Sequence, residues 1–383
     1  MSRYKGWAMK YFLSAVLGTC ILLLSTSAYG DPGNATWFLL DQYLAHDYQE
    51  DGRITDFSRG GITTSEGEAY ALFFFLVNND RPRFEKVLSW IGNNLADGDL
   101  GKHPISWLWG KNRQRRWGVL DHNTASDADL WITYTLLEAG RLWADPEYLR
   151  LGRAIAHRIA NTELKPLPRW GVFLVPGIQG FHPAPDLWRL NPSYTPPFIL
   201  QRLKNEMKGE KWKNLPKLNL SLLRHVSRRG FAPDWTAYSP GKGFFKDPAT
   251  GYTGSYDAIR VYLWAGMTSS QDPLSHRILF LLRGWARTHS SDVTIKIDLK
   301  SGKGAGTPSV GYRAALLPYW ARFKCQGLPR RVFRIRHEAL QNLASLTYYD
   351  WNLLLFGLGY VEGRFTFDRE GKLRVLWEKG PRI

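Results

Sequence analysis

The sequence predicts an all-α fold, an (α/α)6 barrel of six helical hairpins with a small β-hairpin near the C-terminus. Apolar residues recur at helical spacing along most of the 383-residue chain. Gly/Pro-rich loops, such as Leu167 to Pro197 and Ser239 to Gly254, separate the periodic segments and leave twelve of them. No linker divides the chain, so the helices belong to one continuous domain. Its 17 Trp, 18 Tyr and 19 Phe supply material for a large core.

The twelve helices are expected near 33–48, 63–79, 80–96, 126–142, 146–161, 194–206, 213–228, 253–268, 272–288, 309–323, 329–345 and 348–359. The segment Arg364 to Trp377, with Glu370-Gly371 at its turn, reads as the β-hairpin. In such a barrel alternate helices form an inner ring and all point the same way. Their N-terminal ends then converge on one rim, so functional residues should sit at the starts of helices of one parity. Glu66 begins the second helix, Asp127 the fourth, Tyr194 the sixth, Asp257 the eighth and Tyr312 the tenth.

Residues 1–30 read as a removable secretory signal. Arg3, Lys5 and Lys10 precede an apolar run from Phe12 to Leu24, and Ala28-Tyr29-Gly30 offers small residues at a cleavage site before Asp31. The run of 13 residues is shorter than the roughly 20 a spanning helix needs. The expectation is export to the periplasm or beyond, with 31–383 as the folded domain and no stable membrane span after processing. Cys325 is then the only cysteine, which leaves no intrachain disulfide. The net charge of +17 falls to +14 when three basic and no acidic residues leave. The basic residues are scattered, with Arg113, Arg115 and Arg116 the nearest thing to a cluster. Solubility and mild attraction to anionic surfaces are expected, and nucleic acid is not.

Each carboxylate at the expected rim has a purely structural alternative. Thr63 with Glu66, or Ser65 with Glu68, has capping-box spacing. Gly67 weakens that reading, because glycine in a first turn costs stability, and it suggests instead close approach of a ligand to the backbone. Ser126 is a good N-cap, and Asp127 and Asp129 both suit a positive helix end. Residues two apart point to different faces, so these two aspartates should not share one role. Asp257 could simply pair with Arg260 one turn on. Taken together, several carboxylates on one rim beside aromatics are what glycosidic cleavage requires: one protonates the leaving oxygen, another attacks the sugar or activates water. Aromatics supply flat apolar faces for sugar rings. Trp107 and Trp109, in a loop-like segment, are candidates to line a cleft, whereas Trp131 and Trp264 lie in helix stripes and read as core. No HExxH or Gly-x-Ser-x-Gly motif is present. Lys300 to Gly306 is glycine-rich without phosphate-loop spacing and reads as a flexible loop.

Ala125-Ser126-Asp127-Ala128-Asp129, followed by Leu136 to Trp143, resembles the signature of glycoside hydrolase family 8. The resemblance extends from about Trp37 to Trp377 and includes Ile62 to Gly67, Trp107 to Lys111, Asn191 to Tyr194, Gly230 to Trp235 and Ser255 to Arg260. Thr133 and Thr135 depart from the usual small residues of the signature without touching the carboxylates. The resemblance implies an inverting endo-β-1,4-glucanase (a cellulase) without metal or cofactor. It implies Glu66 as general acid, Asp257 as general base and Asp127 as the residue holding the distorted sugar. Tyr194, Tyr256 and Arg260, with Trp107 and Trp109, are the expected contacts to a β-1,4-glucan chain. Within the family the chain is most similar to periplasmic members that accompany bacterial cellulose synthase, so the synthase export machinery is a candidate partner. Chitosan, xylan or mixed-linkage glucan as substrate, or a non-catalytic polysaccharide-binding role, are the alternatives.

Overall fold

The computed structural model describes residues 37–287 and 293–378, so the expected signal segment lies outside the described residues. The chain separates into two units, Met1–Phe38 and Leu39–Ile383, and the second holds the barrel. Its helices are α1 (Phe38–Asp47), α2 (Ser65–Val77), α3 (Arg81–Leu95), α4 (Ser126–Leu142), α5 (Pro146–Thr162), α6 (Pro197–Glu206) and α7 (Glu210–Val226). They continue with α8 (Ala258–Met267), α9 (Ser275–Leu281), α10 (Val310–Ala315), α11 (Leu317–Arg322), α12 (Leu328–Gln341) and α13 (Tyr348–Val361).

Burial sorts these helices into two rings. α2, α4, α8 and α13 are apolar nearly all round and almost wholly buried, as an inner position demands. α3, α5, α7 and α12 bury one stripe and expose a polar face. The inner ring closes in order: α2 packs on α4, α4 on α6, α6 on α8, α8 on α10 and α11, these on α13, and α13 on α2. An aromatic plug fills the axis. Trp131 of α4 meets Trp264 of α8 at 5.2 Å between ring centroids, Phe356 of α13 at 5.1 Å and Phe198 of α6 at 5.7 Å. Tyr70 of α2 closes on Trp131 at 5.7 Å and Phe356 at 5.1 Å. Trp131 and Trp264 are core, as their helix stripes implied.

The tenth expected helix is two, α10 and α11, because Pro318 cannot continue the ladder and removes a donor. The backbone here lies hard against α8: a Cβ added at Gly266 would meet Tyr319 N at 2.3 Å. The ninth is short, Ser275–Leu281, and residues 288–292 fall outside the described residues.

Among the described residues the strands are more numerous than the sequence predicts. Beyond the expected hairpin, β12 (Phe365–Phe367) with β13 (Leu373–Val375), four more small antiparallel sheets occupy the loops. β1 (Thr63–Thr64), β2 (Leu108–Lys111) and β3 (Trp117–Asp121) form one, and β4 (Leu164–Leu167) with β5 (Gly171–Leu174) another. β6 (Trp188–Leu190), β7 (Thr236–Ser239) and β8 (Gly243–Lys246) form a third. β9 (Thr253–Gly254), β10 (Lys296–Asp298) and β11 (Gly304–Ala305) form the last. The glycine-rich Lys300 to Gly306 is thus a tied turn, with Ser301 donating to Asp298 through both N and Oγ. Strands β1, β3, β6 and β9 lead towards α2, α4, α6 and α8, so the sheets dress the rim where the inner helices begin. The β12–β13 hairpin attaches elsewhere, to the later turns of α4: Tyr134 OH donates to Gly371 O at 2.9 Å and Leu373 N to Glu138 Oε2 at 2.8 Å.

Candidate active site

The starts of the six inner segments bring the expected residues together. Glu66 is the second residue of α2 and Asp127 the second of α4. Asp257 stands immediately before α8, since β9 pairs with β10 and delays the helix. Tyr194 lies in a 3₁₀ turn, Pro192–Tyr194, because α6 starts at Pro197, where a missing N–H costs nothing. Tyr312 falls in the first turn of α10.

Neither capping box forms. Thr64 is the N-cap of α2 and accepts from Gly67 N at 3.3 Å. Glu68 turns away and accepts from Ile54 N at 2.8 Å. Glu66 therefore does not reach back to cap the helix; its contacts are to its own backbone and, at 3.4 Å, from Ser65 Oγ. Gly67 does not admit a ligand: a Cβ there would lie 1.4 Å from Tyr348 OH, so the missing side chain makes room for that hydroxyl. Backbone bonds fix the entry geometry. Ser65 N donates to Trp107 O, and Trp107 N to Asn123 O, both at 2.9 Å, which ties the start of α2 to the strand leading into α4.

Arg260, one turn into α8 and 7% exposed, organises the carboxylates. Its Nη1 donates to Asp127 Oδ2 and its Nη2 to Asp257 Oδ1, each at 2.7 Å. Nη1 also reaches Tyr70 OH at 3.3 Å, and the guanidinium lies 5.5 Å from the Tyr194 ring. The second oxygen of Asp257 accepts from Trp235 Nε1 at 3.0 Å. Both oxygens are thus oriented, while the side chain keeps 31% of its surface exposed to the rim. The expected Asp257–Arg260 pair exists, but as part of this buried bridge rather than as a surface contact. Burial, and next the negative charge of Asp127, push Glu66 up to about 7, against the lowering effects of its backbone bonding and of Arg260. Burial likewise raises Asp127, with Arg260 opposing. Asp129 faces away, towards Arg158 at 4.0 Å and Glu163, and burial pushes it up to about 7.

The aromatics divide. Tyr256 is 46% exposed beside Asp257, with its backbone carbonyl held by Tyr349 OH at 2.6 Å. Trp107 is half-buried next to the Glu66 turn. Trp109 lies two residues further on, in β2, stacked on the exposed Trp117 at 4.9 Å and edge-on to Trp90 at 5.3 Å, with Arg53 over its ring. Trp235 and Asp234 carried no assignment from sequence, although Gly230 to Trp235 had stood out as a motif. Asp234 accepts from Ser255 N, Ser255 Oγ and Ala258 N, and so fixes the turn that presents Asp257. Among the described residues no group of His, Cys, Asp and Glu is placed to hold a metal ion.

This arrangement sets one carboxyl that holds its proton near neutrality in the field of two others bridged by an arginine, at the mouth of a helical barrel. The model of glycosyl hydrolases family 8 matches residues 13–363, and the chain belongs to that family. It is 42% identical over 360 residues to an endoglucanase of Xanthomonas axonopodis pv. citri (strain 306), covering 93% of each chain. It is 38% identical over 368 residues to an endoglucanase of Salmonella typhi, covering 95% of this chain and 98% of that one. The crystal structure of an endo-1,4-D-glucanase from Vibrio fischeri ES114 superposes with a TM-score of 0.86 at 36% identity, over 89% of this chain and 99% of that one.

Proposed function

We propose that this glycoside hydrolase is an exported endo-β-1,4-glucanase that cuts cellulose-type chains with inversion of the anomeric centre. Glu66 is the general acid, Asp257 the general base, and Asp127 grips the sugar at the cleavage point. Trp107, Trp109, Tyr194, Tyr256 and Arg260 contact the chain, and the enzyme accompanies bacterial cellulose synthesis and the synthase export machinery. The observation that carries the catalytic reading is the asymmetry between the carboxyls. Glu66 makes no strong hydrogen bond and keeps its proton up to about pH 7, as a donor to the leaving oxygen must. Asp257 has both oxygens aimed by Arg260 and Trp235 and remains open to the rim, as a residue that takes a proton from water must. The endoglucanase names of the relatives support the substrate class.

Hydrolysis of carboxymethyl-cellulose, followed by reducing sugar and by early proton NMR, tests this reading. The new chain end should first appear as the α-anomer, and Glu66→Gln should lower turnover by roughly 10²–10⁴-fold or more. First appearance of the β-anomer would remove Asp257 from the role of base. Near-normal activity of Glu66→Gln would remove Glu66 from the role of acid.

A further inference from the structure

The outer helix α12 carries two apolar faces where one suffices for packing. Ile335 and Ala339 are buried and face α10 and α11. A second stripe faces outward: Pro329, Phe333 and Leu340 recur at spacings of four and seven, so they share one side of the helix. Phe333 is 70% exposed, more than any other large apolar side chain among the described residues. Arginines flank this stripe on both sides, Arg330 and Arg334 on one and Arg336 on the other. Among the described residues Arg336 pairs with Glu362, and the helix's one acid, Glu338, with Arg313. Among the described residues Arg330 and Arg334 are exposed and make no ion pair. Arg331 turns to the packed side, over the Trp320 ring at 4.5 Å, where it lines a cavity of about 580 Å³ together with Ile335 and Glu338.

An exposed apolar stripe between rows of arginines, on the convex outside of a barrel, matches the profile of a helix that rests on an anionic bilayer. Phenylalanine enters the headgroup–acyl boundary while guanidinium groups meet phosphates. A protein groove of ordinary depth would not reach both arginine rows around a convex helix already packed from below. We propose that α12 docks the enzyme on an anionic lipid surface, with headgroup phosphates taken by the exposed Arg330 and Arg334 and Phe333 inserted beside them. This goes beyond the hydrolase reading and does not depend on it.

Flotation of the exported, purified protein with phosphatidylcholine vesicles, alone or mixed with phosphatidylglycerol, tests the proposal. Binding is expected to the mixed vesicles only. Arg330→Gln/Arg334→Gln should weaken it on the order of 25-fold, from about a factor of five per arginine. Phe333→Ser should weaken it without any change of charge. Arg113→Gln/Arg115→Gln removes the same charge elsewhere and should weaken binding far less. All variants share one N-terminus, so a contribution from residues 1–30 is constant among them, and unchanged hydrolysis of carboxymethyl-cellulose confirms that α12 variants fold. Equal losses from the two arginine pairs would overturn the proposal in favour of attraction by net charge. Failure to bind mixed vesicles, or tighter binding to polyglutamate than to the vesicles, would overturn it as well.

Discussion

Glu66 occupies a position that ordinarily favours a charged carboxylate, the first turn of a helix, yet it is raised to about 7 by burial and by Asp127. That conflict has a measurable cost. Between the ordinary glutamate range near 4.5 and about 7, the unfolded chain releases the Glu66 proton while the folded chain retains it. The stabilisation from this group is complete below the unfolded value and is lost as pH rises through that window. Glu66→Gln should therefore be inactive but should gain stability relative to the parent as pH is raised from about 4.5 to about 7, read as a growing difference in thermal midpoint. A constant difference across that range would mean that Glu66 does not titrate there. Trp235 acts on the partner carboxylate. Trp235→Phe keeps a ring but removes the N–H held by Asp257 Oδ2. A hydrogen bond to a charged group is worth about 1.5–3 kcal/mol, so kcat should fall roughly 10- to 100-fold, with KM changing much less. An equal change in KM would assign Trp235 chiefly to sugar binding.

At the scale of elements, the junction of β1 with α2 meets the start of α13. Gly67 and Tyr348 interlock there, and Tyr348 OH lies 3.4 Å from the capping Thr64 hydroxyl. Gly67→Ala would drive a methyl into that hydroxyl and force the tyrosine aside. The expected cost is about 1–3 kcal/mol, as for other overpacked sites, seen in urea denaturation, together with reduced turnover because Glu66 is the adjacent residue. The sequence drew attention to Gly67 for the wrong reason, since the residue that needs the space lies 281 positions away. The arginines of α12 divide in a way that only packing shows: Arg330 and Arg334 are exposed, whereas Arg331 lies over the Trp320 ring.

Across the whole molecule, catalysis and stability are anchored in different turns of the same helices. α4 opens at Asp127 and, three turns later, buries Glu138. That carboxylate is held by Arg202 Nε at 2.6 Å, Arg141 Nη2 at 2.8 Å and Leu373 N at 2.8 Å, which locks the β12–β13 hairpin to the barrel. Glu138→Ala should destabilise by about 3–5 kcal/mol, towards the lower figure because Arg202 keeps Glu206 and Arg141 keeps Glu378. Turnover per folded molecule should be nearly unchanged, because the aromatic plug lies between this network and the rim. Denaturation and active-site-normalised kinetics separate the two effects.

Helical periodicity is a local property. It specified the order and approximate bounds of the helices, and counting them as alternate members of a barrel placed Glu66, Asp127, Tyr194 and Asp257 at the starts of even-numbered helices. The short strands were not legible, because segments of two to five residues are stabilised by partners distant in sequence, as Thr63 is by Trp109. The split at Pro318 interrupts an apolar pattern that by itself reads as one helix. Only the tertiary structure decided what the carboxylates do to one another. Arg260 joins Asp127 to Asp257 across 130 residues, Trp235 aims the second oxygen, and burial lifts Glu66. Such electrostatic effects depend on distance and desolvation, which a linear sequence does not contain.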